Sequence, residues 1–185
     1  ELGLDYDKLN FVNLQPADQY SAMEKGEIQV LSAWEPWITQ TINDGGTFLL
    51  SGTEANFPEK QGEVDWFDLY NSLAVNDQFL EENPVTIQKV LNALGKATDY
   101  INDNREEAVA TLAVQFNLEE DVLNEIMNRN SYNMLVDDTF MSSTQYLEQY
   151  LYDEGFASKK LETGDYTDFT VLKEKLPERY TVTAQ

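Results

Sequence analysis

Cysteine and histidine are both absent from this chain of 185 residues. Their absence excludes disulfides, thiol nucleophiles, zinc fingers, Ser-His-Asp triads and imidazole acid–base catalysis within the sequence. A lack of cysteine is compatible with any redox compartment. Positive charge is scarce as well: 12 Lys and Arg stand against 34 Asp and Glu, for a formal net charge of -22. Phosphate backbones and anionic membrane surfaces are held by clustered cations, so neither nucleic acid nor lipid headgroups fit as partners. No apolar run approaches the roughly 18 residues that cross a bilayer, so direct membrane insertion is not expected. No signal peptide is visible, which reads as truncation and not as evidence for the cytoplasm. No carboxylates fall at calcium-loop spacing. Asp137-Asp138 precede an apolar segment, and Glu119-Glu120-Asp121 sit near a helix start, where negative charge suits the dipole. No metal and no cofactor is expected.

What remains is ordinary folded sequence. Apolar residues make up 42% and aromatic residues 12%, too rich for a disordered chain. The length allows one respectable core or parts of two smaller ones. The acidic residues are dispersed along the chain and form no tail, so they read as a solvated surface.

The first third alternates short apolar runs with amphipathic ones. Leu9 to Leu14 is a strand candidate, and Pro16 then opens a short helix over Ala17 to Lys25 that Gly26 stops. Ile28 to Trp34 is a second strand candidate. Pro36 opens another helix through Ile42, ended by Asn43-Asp44-Gly45-Gly46, and Thr47 to Ser51 is a third strand. This order predicts a parallel sheet with helices on its faces, an α/β fold. Gly52 to Asp65 is polar and broken by Gly52, Pro58 and Gly62, so it reads as a crossing segment. Trp66 to Val75 is one more strand candidate and Asp77 to Glu82 a short turn. Helices follow: a long one from Pro84, with Ile87, Val90, Leu91, Leu94, Ala97 and Ile101 at three-four spacing, then 104–116, 119–128 and 138–152. Gly155 ends the last of these, and Tyr180–Val182 is a short strand or coil. The change of rhythm marks a boundary near residues 52–66.

Several of these segments carry a resemblance. Asn13-Leu14-Gln15-Pro16-Ala17-Asp18, then Ala22 to Ile28, then Ala33-Trp34-Glu35-Pro36-Trp37, in that order and spacing, resemble the second lobe of solute-binding proteins for nitrate, alkanesulfonates and taurine. Downstream, Phe79 to Pro84, Asp103-Asn104 to Ala108, and Leu176 to Tyr180 resemble the same family's later motifs. Gln29 stands where the family usually has Asp, and Arg105 where it usually has Pro. The resemblance implies a periplasmic-binding-protein type II-like fold of two α/β lobes that close on a small molecule. On that reading residues 1–55 are the later part of lobe two, 56–66 the hinge crossing, and 67–185 the carboxy-terminal helical part of lobe one. It also implies that an amino-terminal segment completes the protein, which leaves the first strands without a partner edge.

The resemblance implies a receptor that delivers a small organic solute to an ABC permease, placed in the periplasm or outside the cell, with lipid anchoring through the amino-terminal segment as an option. Ligands of open α/β sheets sit beyond the carboxyl ends of strands, which singles out Gln15, Trp34 and Glu35. Trp34 offers an apolar wall or a core side chain; Glu35 offers a ligand acceptor or an amide cap for its helix. Asp18 and Glu35 place negative charge at the two helix starts, which favours a zwitterion, an amine or a neutral heteroaromatic over a bare oxyanion. Two rivals stay open. One is an enzyme like the pyrimidine synthases of thiamine biosynthesis, which use His, Lys and a cysteine-rich segment; the other is the sensing domain of a signalling protein.

Overall fold

A computed structural model describes residues 8–183 of the chain. Helix α1 runs Pro16–Glu24 and α2 runs Trp37–Asn43. A hairpin follows, β1 Glu54–Phe57 against β2 Lys60–Glu63. Then come α3 (Asp77–Glu82), α4 (Pro84–Asp103), α5 (Arg105–Phe116), α6 (Glu120–Asn128), α7 (Asp138–Asp153) and α8 (Thr170–Lys175). No described helix is long and apolar enough to cross a membrane.

The helix starts follow local chemistry. Pro16 and Pro84 occupy first-turn positions, where a missing N–H costs nothing and the fixed φ is already helical. Asn76 caps α3, accepting from the amides of Gln78 and Phe79, and Asp137 caps α7 through Phe140. Segment 77–82, expected to be a turn, is therefore a short capped helix. Between α5 and α6, Asn117 adopts a left-handed conformation (φ 54°). The amide of Leu118 then closes back on the carbonyl of Ala113 at 3.0 Å. That reversal lays α6 on α5 and builds the best-buried cluster, Val109, Ala113, Leu123 and Met127, flanked by Ile101, Leu112, Leu118 and Tyr132. Helix α4 packs on α5 and α8, α1 on α2, and α2 on α6.

The expected parallel ladder through residues 9–14, 28–34 and 47–51 is not present among the described residues. Segments 9–14, 28–34 and 66–75 carry no ladder, because an extended run becomes a strand only when a neighbour supplies its partners. Phe11 is 66% exposed, Val30 65% and Leu69 80%. The third segment makes one antiparallel bridge, Leu50 to Ala55, onto the hairpin. That hairpin lies within the stretch read from sequence as irregular. Its turn uses Pro58-Glu59, and Gly62 takes a φ of 98° that other residues rarely adopt. Tyr180 forms a parallel bridge to Val136, so the tail returns onto the entry to α7.

Candidate functional site

The irregular runs 9–14 and 28–34 each deliver the chain into a helix, α1 and α2 respectively. Gln19 on α1 ties the two approaches together. Its amide nitrogen donates to the carbonyl of Leu14 at 3.0 Å, and its oxygen accepts from the amide of Ser32 at 3.1 Å. The helices are fastened by Tyr20, whose ring lies 6.0 Å from that of Trp37. The Tyr20 hydroxyl donates to Asp44 at 2.5 Å, and this bond, with lesser help from burial and the carboxylate's charge, pushes its pKa up to about 12. The two loop ends singled out in the sequence are therefore held next to each other.

Gln15 is exposed and extended at the start of α1, and its side chain makes no capping bond there. Its carbonyl accepts from the amide of Gln19 at 2.9 Å. Trp34 is 70% exposed, so of its two sequence roles the packed-core one is not realised. Glu35 is turned inward. One carboxylate oxygen accepts from the amide of Thr39 at 3.1 Å, which realises the capping role. The other accepts from Nη1 of Arg129 at 3.0 Å, and the Glu35 side chain is only 16% exposed. Arg129 ends α6, 94 residues along the chain. The same Nη1 donates at 2.5 Å to the hydroxyl of Thr39, which is fully buried. One guanidinium nitrogen thus stitches both Glu35 and Thr39 to α6.

Sequence reasoning missed Gln19, Thr39 and Arg129. Gln19 lay one helical turn past Gln15 and was within reach of the pattern. Thr39 sits in the first turn of α2, where a preceding carboxylate can reach its amide. Arg129 has no local signature; only the scarcity of cations sets it apart. Among the described residues there is no cluster of metal-binding side chains. Two open hollows lie elsewhere: one of about 520 Å³ beside the hairpin, and one of about 390 Å³ between Asp65–Asp68 and the first turns of α7. Neither is lined by Gln15, Trp34 or Glu35.

Residues 1–114 match the model of the NMT1-like family. The chain belongs to that family. It is 24% identical over 174 residues to a protein of Bacillus subtilis (strain 168) named an aliphatic sulfonates-binding protein, covering 92% of this chain and 49% of that protein. A protein of Escherichia coli (strain K12) with the same name is 26% identical over 124 residues, covering 66% of this chain and 35% of that protein. The chain thus spans about half the length of the longer-matching relative, or less. Its fold is similar to the crystal structure of the periplasmic aliphatic sulphonate binding protein SsuA from Escherichia coli. The TM-score is 0.63 at 20% identity, over 91% of this chain and 55% of that one. At that identity the likeness establishes the fold, and it agrees with the α/β binding-protein class read from the sequence.

Proposed function

We propose that the chain is part of an extracytoplasmic solute receptor that binds a small organic molecule and hands it to an ABC permease, without catalysing a reaction. The ligand class is an alkanesulfonate, with a taurine-like zwitterion, an amine or a heteroaromatic as the wider set. In this reading residues 1–55 belong to lobe two, 56–66 cross the hinge, and 67–185 complete lobe one. An amino-terminal segment supplies the other wall. One observation carries the reading: the likeness to relatives named for aliphatic sulfonates extends over 92% of the chain, and the family match at residues 1–114 contains Gln15, Trp34 and Glu35.

The geometry supports it. Gln19 holds two loop ends together, and at the second of them the exposed indole of Trp34 precedes in sequence the carboxylate that pairs with Arg129, so apolar and polar groups that a small ligand could use lie at one turn. Exposed Val30 offers apolar surface for the amino-terminal segment to cover. Calorimetric titration of the product of the complete open reading frame with alkanesulfonates, taurine, nitrate and alkylamines tests the proposal. Micromolar or tighter binding of one of the organic solutes is the expected result. Failure of every organic compound to bind contradicts it.

A further inference from the structure

The acidic turn at Trp34-Glu35-Pro36 argues from sequence against an oxyanion ligand, yet the structure delivers a cation to it. Arg129 reaches the turn from α6, and its Nη1 is committed to Glu35 at 3.0 Å and Thr39 at 2.5 Å. A guanidinium carries five N–H donors in a rigid fork. Among the described residues, Nε and Nη2 of Arg129 have no hydrogen-bond partner, and the side chain is 38% exposed. Those two nitrogens form the edge that grips a carboxylate, sulfonate or phosphate with two parallel bonds. Glu35 and Thr39 fix the orientation of that edge, because each holds the opposite nitrogen. Trp34, the residue beside Glu35, presents an indole 70% exposed, an apolar face suited to an alkyl chain.

Resting on the proposed receptor function, we infer that Arg129 is the specificity-determining residue of this site. Its Nε–Nη2 edge takes the anionic headgroup of a small alkyl oxyanion, Trp34 takes the alkyl chain, and Glu35 positions the guanidinium without touching the ligand. The local charge also makes sense of the choice. Glu35 alone would repel an anion, but the Glu35–Arg129 pair is neutral and still offers a directed donor fork. An amine finds no such advantage, since the charge of Glu35 is already matched by Arg129 and the free donors of the guanidinium face an ammonium as like charge.

The test uses the product of the complete open reading frame, titrated with butanesulfonate and with butylamine. Wild type binds butanesulfonate in preference to butylamine. Arg129→Gln weakens butanesulfonate by about 10- to 150-fold, the range for losing a charge-assisted bond. Arg129→Lys keeps the charge beside Glu35 but not the fork. It weakens butanesulfonate by a smaller factor while the circular dichroism shows the fold retained. Because a purely structural Arg129 would not alter ligand preference, the sulfonate-to-amine ratio of Arg129→Lys is the deciding readout, and it falls. If wild type binds butanesulfonate and both variants keep its affinity and preference within twofold, the assignment of Arg129 is wrong and the receptor reading stands. A wild type that binds another organic solute but not butanesulfonate overturns the assignment of Arg129 alone, and one that binds no organic solute overturns both.

Discussion

Replacing Thr39 by Val probes how α2 is joined to α6. The side chain is fully buried, and its hydroxyl accepts from a cationic donor at 2.5 Å. Valine has nearly the same shape, so little cavity forms and the loss is that of the acceptor. Hydrogen bonds to charged groups contribute roughly 1.5–3 kcal/mol when removed from one side. The Arg129 side chain is 38% exposed and keeps its bond to Glu35, so water can satisfy part of the lost donor. A discounted cost of about 1–1.5 kcal/mol follows. Glu35→Gln costs about 1 kcal/mol or less, because the Arg129 side chain is 38% exposed to solvent screening and the amide oxygen still accepts from the amide of Thr39. Since Thr39 and Glu35 share one nitrogen of Arg129, the double variant should depart from additivity by 0.5 kcal/mol or more, with that figure taken as roughly the lower limit for coupled neighbours. Urea unfolding without ligand gives the values, with an unchanged slope and a midpoint shift of about 0.3–1.5 M for Thr39→Val, given slopes of roughly 1–3 kcal/mol per molar. A Thr39→Val midpoint equal to wild type, together with strict additivity, would refute the interlock.

Two more expectations concern the helical half and the crossing segment. Burial first, and then the bond its hydroxyl donates to Glu148 at 2.7 Å, push the Tyr166 pKa from 10.0 up to about 12. The protonated form is the one the fold favours. Its contribution is therefore complete below pH 10 and is lost as pH rises through 12, and Tyr166→Phe should flatten that alkaline decline in denaturant midpoints relative to wild type. At Gly52 an added Cβ would lie 1.8 Å from the carbonyl oxygen of Phe67, a backbone atom that cannot rotate away. Gly52→Ala should cost at least about 2 kcal/mol of stability by the measure of overpacked sites, and a midpoint within error of wild type would show that the crossing is not built as described.

The helices were legible because their signals are local. Pro16 and Pro84 announce first turns, the three-four spacing from Ile87 to Ile101 announces α4, and Gly155 at φ 74° stops the chain after α7. The expected strands at 9–14, 28–34 and 66–75 form no ladder, since pairing depends on neighbours that no single run contains. Leu9 to Leu14 and Ile28 to Trp34 have the composition of buried strands, yet a side chain, that of Gln19, is what links them. The hairpin escaped notice because Lys60–Glu63 is polar and exposed throughout, and in Glu54–Phe57 the alternation of Ala55 and Phe57 is only two apolar residues long. At the site, Gln15, Trp34 and Glu35 follow from their place at loop ends. The partner that turns Glu35 inward lies 94 residues away, and no local pattern points to Arg129.

The measurement that bears most directly on the receptor function is a calorimetric titration of butanesulfonate into two samples, the product of the complete open reading frame and this 185-residue chain alone. In the proposed two-lobe receptor, closure would surround the ligand and dry both walls at once, so a wall by itself would gain little. The expected result is saturable binding, micromolar or tighter, by the complete product, weak or no binding by the isolated chain, and recovery when a separately produced amino-terminal segment is mixed in. Tight binding by the isolated, monomeric chain, or no organic solute bound by the complete product, would contradict the two-lobe receptor.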